Sequence, residues 1–341
     1  MIESTEREKI NIMFVGLGSI GQRHLRNLKK ILKKNVKFFA FRITRHTPLL
    51  DSQGRKIKGD IEKKYYISVI KNLNFVNKKI HIIFITNPTS MHISTILKFK
   101  NLKNCYIFAE KSLDSSLSKY EVFLRYIKKN NIKIFVGYNF RFHSGFKKLK
   151  KIIARGKEFK SIRYAIFKCG EDLRKYHSYE NYLASYASRK KLGGGVNLNN
   201  SHELDMLLNL FGNAKILNSY KGNLSNLKID VEDFSVSIYK SIRFKKEIIS
   251  ILIFDFFQEN KERYIKLICD NKEIFLDLNN FFIQISKKKK KIIYKFKKDN
   301  NEMYINELKF FLSLFYRRKK IPADYNEKNA YRSLKLALKI K

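Results

Sequence analysis

Six residues, Gly16-Leu17-Gly18-Ser19-Ile20-Gly21, stand between an apolar run of strand length (residues 9–15) and a helical pattern that keeps Ile20, Leu25, Leu28, Ile31 and Leu32 on one face. In that setting each glycine has its own task. Gly16 permits a tight turn, Gly18 lets the backbone approach a pyrophosphate, and Gly21 lets the helix pack closely on the strand. The start of the helix at Ser19 and Ile20 then offers N–H groups and positive potential to phosphate oxygens. The residue that reads the adenosine ribose is expected about twenty positions further on. Arg42 stands there, where a carboxylate would mark NAD, and Arg45 is close by. Two arginines favour a 2′-phosphate, so the turn is read as a site for NADP or NAD, with NADP preferred.

Oxidising an alcohol by hydride transfer leaves a proton on its oxygen, and a base must take it. Lys111 lies just past an apolar run, residues 106–109, at the carboxyl end of a parallel strand, where such sheets bind ligands. In so lysine-rich a chain, a solvated strand-end lysine is the plain alternative. His202 opens a helical pattern directly after Gly193-Gly194-Gly195. That turn needs unusual backbone angles or a close ligand approach; a local helix cap is the plain alternative for the histidine. Glu203 and Asp205 read as first-turn acids that complement the helix dipole.

The elements that must position these residues alternate. Strand-like runs at residues 36–41, 80–86, 106–109 and 132–136 are separated by helical stretches at 92–100 and 118–130. This alternation predicts an α/β fold that opens with a Rossmann domain, a doubly wound parallel sheet. From Phe140 the pattern changes. A helix (146–154), a strand (162–168), a polar aromatic-rich stretch (171–191) and the helix of His202 lead into strand-like runs at 231–239, 247–254, 264–269, 273–277, 281–286 and 292–296. An α+β domain with an open, mostly antiparallel sheet follows from that order. The expected division is 1–139 for the dinucleotide domain, 140–320 for a substrate and oligomerisation domain, and 321–341 for a C-terminal helix packing back on the first domain.

Lys+Arg 72 against Asp+Glu 30 gives a net charge of +42, which by itself points to a polyanion. The bases are spread along the whole chain, however. The composition leans throughout to Lys, Asn, Ile, Phe and Tyr, with Gly 14, Pro 3 and no Trp. A/T-rich coding accounts for such a shift without selection for nucleic acid; attraction of a phosphorylated cofactor or nucleotide-sugar is the milder functional reading. The run Lys287 to Lys291 reads as a solvated hairpin tip, with an anionic surface as its alternative. Cys105, Cys169 and Cys269 lie far apart, at neither disulfide nor metal spacing, which fits a reduced, cytoplasmic setting and no metal. Met1 to Lys9 is charged, without the apolar core of a signal peptide, and no apolar stretch reaches the ~20 residues that span a bilayer.

The strings GLGSIGQRHLRNL from Gly16, TNPTSMHI from Thr86, AEKS from Ala109, GYNFRFH from Gly137 and LGGGVNLNNSHELDMLLNLFG from Leu192 occur in the order and at the intervals of the Gfo/Idh/MocA oxidoreductases. The chain resembles that family over residues 10–212, and its ending from Ala323 is similar to the family's final helix. The stretch from Tyr179 resembles members encoded among surface-polysaccharide genes. The resemblance implies an NAD(P)-dependent oxidoreductase acting on a sugar, cyclic polyol or nucleotide-sugar. It places Glu110 and Lys111 in the family's Glu-Lys-Pro signature, with Ser112 in place of proline and the lysine beside nicotinamide and substrate. It makes His202 the acid/base at the substrate, puts Asn87, Pro88 and His92 in a loop lining the cofactor, and puts Arg141 in a domain-crossing segment at the substrate. At Asn199 relatives carry aspartate; an amide holds a hydrogen bond there but accepts no proton.

Three classes of function remain on these residues: a sugar or polyol dehydrogenase, a dinucleotide-binding protein without catalysis, and a nucleic-acid-binding protein. The first is the reading taken forward, with a small sugar or nucleotide-sugar as partner, no specific nucleic acid, no membrane span, and a second-domain sheet open to homo-oligomerisation.

Overall fold

A computed structural model describes residues 10–33, 35–42, 47–72, 80–154 and 159–341. Met1 to Lys9 and Arg45 lie outside the described residues. The chain divides into two units: residues 1–137, 177–180 and 308–328 form the first, and 138–176, 181–307 and 329–341 the second.

The first unit follows the alternation read from sequence. Its elements run β1 (Ile10–Val15), α1 (Ser19–Leu32), β2 (Val36–Phe41), α2 (Ile61–Tyr65), β3 (Ile67–Ile70), β4 (Ile82–Ile85), α3 (His92–Leu97), β5 (Tyr106–Glu110), α4 (Tyr120–Lys129) and β6 (Lys133–Gly137). All six strands are parallel, in the order β3-β2-β1-β4-β5-β6, the doubly wound arrangement whose order reverses beside β1. Helices cover both faces of such a sheet, so β4 is buried at every position. Phe14, Phe84, Phe108 and Phe135 pair in register across β1, β4, β5 and β6. Their rings stack at centroid distances of 4.9, 4.9 and 5.2 Å. Phe311 meets the rings of Phe84 and Phe108 edge-on.

The second unit holds α5 (Ser144–Ile153), β7 (Ile162–Gly170), α6 (Val196–Asn199), α7 (Ser201–Phe211) and the strands β8 (Ala214–Gly222), β9 (Phe234–Arg243), β10 (Lys246–Asp255), β11 (Glu262–Cys269), β12 (Glu273–Asp277), β13 (Phe282–Lys287) and β14 (Lys290–Lys295). They form one eight-stranded sheet, β14-β13-β12-β11-β7-β10-β9-β8, antiparallel at every step except β7–β10. Burial alternates along β9 and β10, as a sheet with one covered face requires. The lysine run does form the hairpin between β13 and β14.

Two helices close the chain, α8 (Glu302–Tyr316) and α9 (Glu327–Leu338). Their allegiance differs from the expected division. Residues 308–328, expected to lie largely in the second domain, belong to the first unit, because Phe311 covers the phenylalanine row and Tyr325 stacks on Phe135 at 5.4 Å. Residues 329–341, expected to pack on the first domain, belong to the second unit: Asn329 bonds Asp205, and the backbone N–H of Lys341 bonds Ser219.

Candidate active site

Register places the first unit's candidates on one edge. Val15 pairs with Ile85 and Ile85 with Ala109, so Gly16, Thr86 and Glu110 leave the sheet at the same level. Gly16 turns with φ +94°, and a Cβ there would sit 2.7 Å from the Asn87 nitrogen; a Cβ on Gly21 would sit 2.5 Å from the Gly16 oxygen. Gly18 is different, since a Cβ there would meet nothing within 4 Å. It caps α1 without a side-chain hydrogen bond, and no acid occupies the first turn, which begins at Ser19 and Ile20. The N–H groups of that turn thus carry positive potential with no side-chain cap, beside open space at Gly18, a cradle that fits a pyrophosphate. Thr86 braces the turn by donating Oγ1 to the Gly16 oxygen at 2.6 Å.

Two further braces carry no sequence signature. Buried Gln22 donates Nε2 to the carbonyls of Leu17 and Pro48, and its Oε1 accepts from the N–H of Leu50. Tyr179, in the short 177–180 segment that belongs to this unit, bonds Ser19, and burial raises its phenol above the usual range.

The loop after β4 and the end of β5 are tied together. Asn87 donates Nδ2 to Thr95 at 2.9 Å, beside Pro88. His92 is expected from the resemblance to line the cofactor, but it is only 1% exposed. Its two ring nitrogens lie 2.8 Å from the carbonyl oxygens of Ser112 and Asn87. Burial lowers its pKa, against the pull of those two carbonyls. His92 thus joins the Asn87 loop to the Lys111-Ser112 loop. Glu110 is fixed from the other side, its Oε1 2.5 Å from Nε2 of buried His24 on α1. Lys111 is half-buried between these anchored neighbours. Arg42 follows β2 as expected, with its guanidinium on Glu62 at 3.0 Å.

In the second unit two buried ion pairs seat α7, the helix that carries His202. Glu203 receives Arg263 at 2.6 and 2.8 Å, and Asp205 receives Arg141 at 2.7 and 2.5 Å. Asn329 adds a bond to Asp205 at 3.2 Å. Glu203 and Asp205 are therefore not merely dipole-complementing first-turn acids; both are buried, and each is neutralised by a forked guanidinium. Arg141, which the resemblance puts at the substrate, is engaged with Asp205 at 5% exposure. His202 itself lies edge-on to Phe140, at 5.0 Å, and to Tyr138, at 5.8 Å. Asn199, three residues earlier, accepts from the Tyr186 hydroxyl at 2.6 Å and donates to the Tyr176 hydroxyl at 3.1 Å. Burial, its largest cause, pushes the Tyr176 phenol well above its ordinary value.

Residues 10–138 match the family described as an oxidoreductase family with an NAD-binding Rossmann fold. Among curated relatives, the chain is 30% identical over 144 residues to the uncharacterized oxidoreductase YrbE of Bacillus subtilis (strain 168), covering 42% of this chain and 39% of that protein. It is 28% identical over 149 residues to the myo-inositol 2-dehydrogenase of Thermotoga maritima, covering 43% and 41%. The chain thus spans about two fifths of the length of these relatives. Among solved structures, the WlbA dehydrogenase of Bordetella pertussis, in complex with NADH and UDP-GlcNAcA, superposes with a TM-score of 0.73 at 16% identity over 98% of this chain and 95% of that one. At that identity the likeness speaks for the fold.

Proposed function

We propose, from the match of residues 10–138 to the Gfo/Idh/MocA oxidoreductase family model, that the chain is a nicotinamide-dinucleotide-dependent dehydrogenase of a sugar, cyclic polyol or nucleotide-sugar. The observation that carries the reading is the cradle itself: an uncapped helix start, room at Gly18, and close packing at Gly16 and Gly21. The first turn of α1 would hold the pyrophosphate. The bound dinucleotide supplies a hydride acceptor or donor. Lys111 and His202 are the residues proposed to hold and move the alcohol proton; Asn199 is proposed to orient, because an amide cannot take that proton. The substrates named for relatives, myo-inositol and an N-acetylglucosamine-derived nucleotide sugar, set the class to be tried.

The test is dinucleotide absorbance on incubation with polyols, hexoses and UDP-sugars, alongside direct dinucleotide binding. Turnover of one substrate supports the reading. Binding without turnover of any of them favours a non-catalytic dinucleotide-binding protein, the second reading, which Asn199 motivates. We further propose a reducing, cytoplasmic setting, supported by three buried free thiols, of which burial pushes Cys105 and Cys169 up to about 12. A homo-oligomer is proposed through the open face of the second sheet, where Phe234, Val236 and Ile238 of β9 lie beside Ile249, Ile251 and Ile253 of β10. Sedimentation reads it: a monomer at micromolar concentration would refute it. No helix among the described residues is long and apolar enough to cross a membrane.

A further inference from the structure

Arg42 alone suggests NADP, but its environment reverses that reading. Phe41 pairs with Val15, so Arg42 leaves the sheet level with Gly16, at the strand end where the adenosine ribose of a dinucleotide seated on the turn arrives. Its Nη1 lies 3.0 Å from Oε1 of Glu62, and the two side chains are only 6% and 13% exposed. Glu62 does not sit there by chance of rotamer. Its helix, α2, is capped by Asp60, whose Oδ1 accepts from the N–H groups of Glu62 and Lys63 at 2.8 and 2.9 Å. The same helix buries Ile61 and Tyr65, and Lys29 of α1 donates to the Tyr65 carbonyl at 2.9 Å.

The pair sums to zero charge. A 2′-phosphate brings nearly two negative charges. To hold it, Arg42 would have to leave Glu62 and strand a largely buried carboxylate beside a dianion. A ribose with free 2′- and 3′-hydroxyls asks for the opposite, an acceptor. A carboxylate accepts about four hydrogen bonds, so one engaged by an arginine can still receive a hydroxyl. We infer that Glu62, through its ion pair with Arg42, sets the dinucleotide preference and directs the site to NAD.

The inference rests on the dinucleotide reading above, and binding to the 341-residue chain tests the two separately. NADH and NADPH are titrated against the wild type, Glu62→Gln, and Glu62→Gln combined with Arg42→Ala, with the fold checked by circular dichroism. Wild type should bind NADH more tightly. Glu62→Gln should gain about tenfold or more for NADPH, the worth of a charge-assisted contact, and should weaken for NADH, because the ribose hydroxyl exchanges a carboxylate acceptor for an amide; the double variant should lose the NADPH gain. The same pattern should appear with adenosine 2′,5′-bisphosphate against AMP. An unchanged NADPH-to-NADH ratio in folded Glu62→Gln, or a wild type that prefers NADPH, overturns the role of Glu62 and leaves the dinucleotide reading standing. If the wild type binds neither dinucleotide, both fall.

Discussion

The Tyr186 hydroxyl donates to Oδ1 of Asn199 at 2.6 Å while the same amide donates Nδ2 to Tyr176, so the side chain three residues before His202 is held between two phenols. A phenol can donate or accept, so a carboxylate in the amide's place could receive both. Asn199→Asp should therefore fold with stability within about 1 kcal/mol of wild type. Asn199→Leu, which deprives both hydroxyls of this partner, should cost about 1–3 kcal/mol. Denaturant midpoints decide; equal losses in the two variants would show that the phenols do not hold this residue.

Two glycines two positions apart, Gly16 and Gly18, should respond differently. Gly18 has φ −69° and open space around its missing Cβ, so Gly18→Val should fold normally yet fill the cradle and abolish dinucleotide binding. Gly16→Ala meets both a positive φ and the Asn87 nitrogen, and should lose a few kcal/mol of stability, roughly the cost of a strained backbone position. Thermal unfolding with and without NADH separates the two. Undiminished binding in folded Gly18→Val would remove the pyrophosphate from this turn.

If Lys111 and His202 act on the alcohol proton, Lys111→Met and His202→Ala should each lose ~100- to 10,000-fold in kcat. Dinucleotide affinity, held mainly by the glycine turn, should persist. Acting on one proton, they should lose less together than the product of the single losses. Wild-type turnover by Lys111→Met would exclude the lysine from this step.

His143 caps α5, its Nδ1 accepting from the N–H groups of Gly145 and Phe146, and burial lowers its pKa to about 4. An unfolded histidine titrates near ~6.5, so between these values the unfolded chain binds the extra proton. Stability should be full above that window and fall as pH drops through it, by up to on the order of 3 kcal/mol. His143→Asn keeps a capping acceptor without the titration and should flatten this part of the profile. Urea midpoints at neutral pH and near pH 4.5 measure it; an equal fall in both proteins would assign the acid sensitivity elsewhere.

The parallel sheet was legible because its inner strands are unbroken apolar runs punctuated by turn residues. β3 and β8 were not. β3 has only four residues, and β8 is a half-exposed edge strand with no clear alternation. The glycine turn was legible because its chemistry is written in adjacent residues. Glu62 was not, nor were the partners of Arg141, Arg263 and Glu110, because each pair joins residues 20 to 86 positions apart and leaves no periodic trace. The resemblance named His92 and Arg141 but not their hydrogen-bond partners, the carbonyls of Asn87 and Ser112 and the carboxylate of Asp205. The final helices were placed correctly along the chain, yet their allegiance depended on single aromatic and amide contacts.

The phenylalanine row across β1, β4, β5 and β6 binds four strands side to side through their side chains as well as their backbones. To part any neighbouring pair, two stacked rings must separate and the Phe311 cover must lift. These strands should therefore open to solvent only when the whole unit unfolds, and their amide protons should exchange on that slowest timescale. A ligand entering this edge would meet a floor whose strand spacing does not adjust, so its fit would fall to the side chains of the turns above.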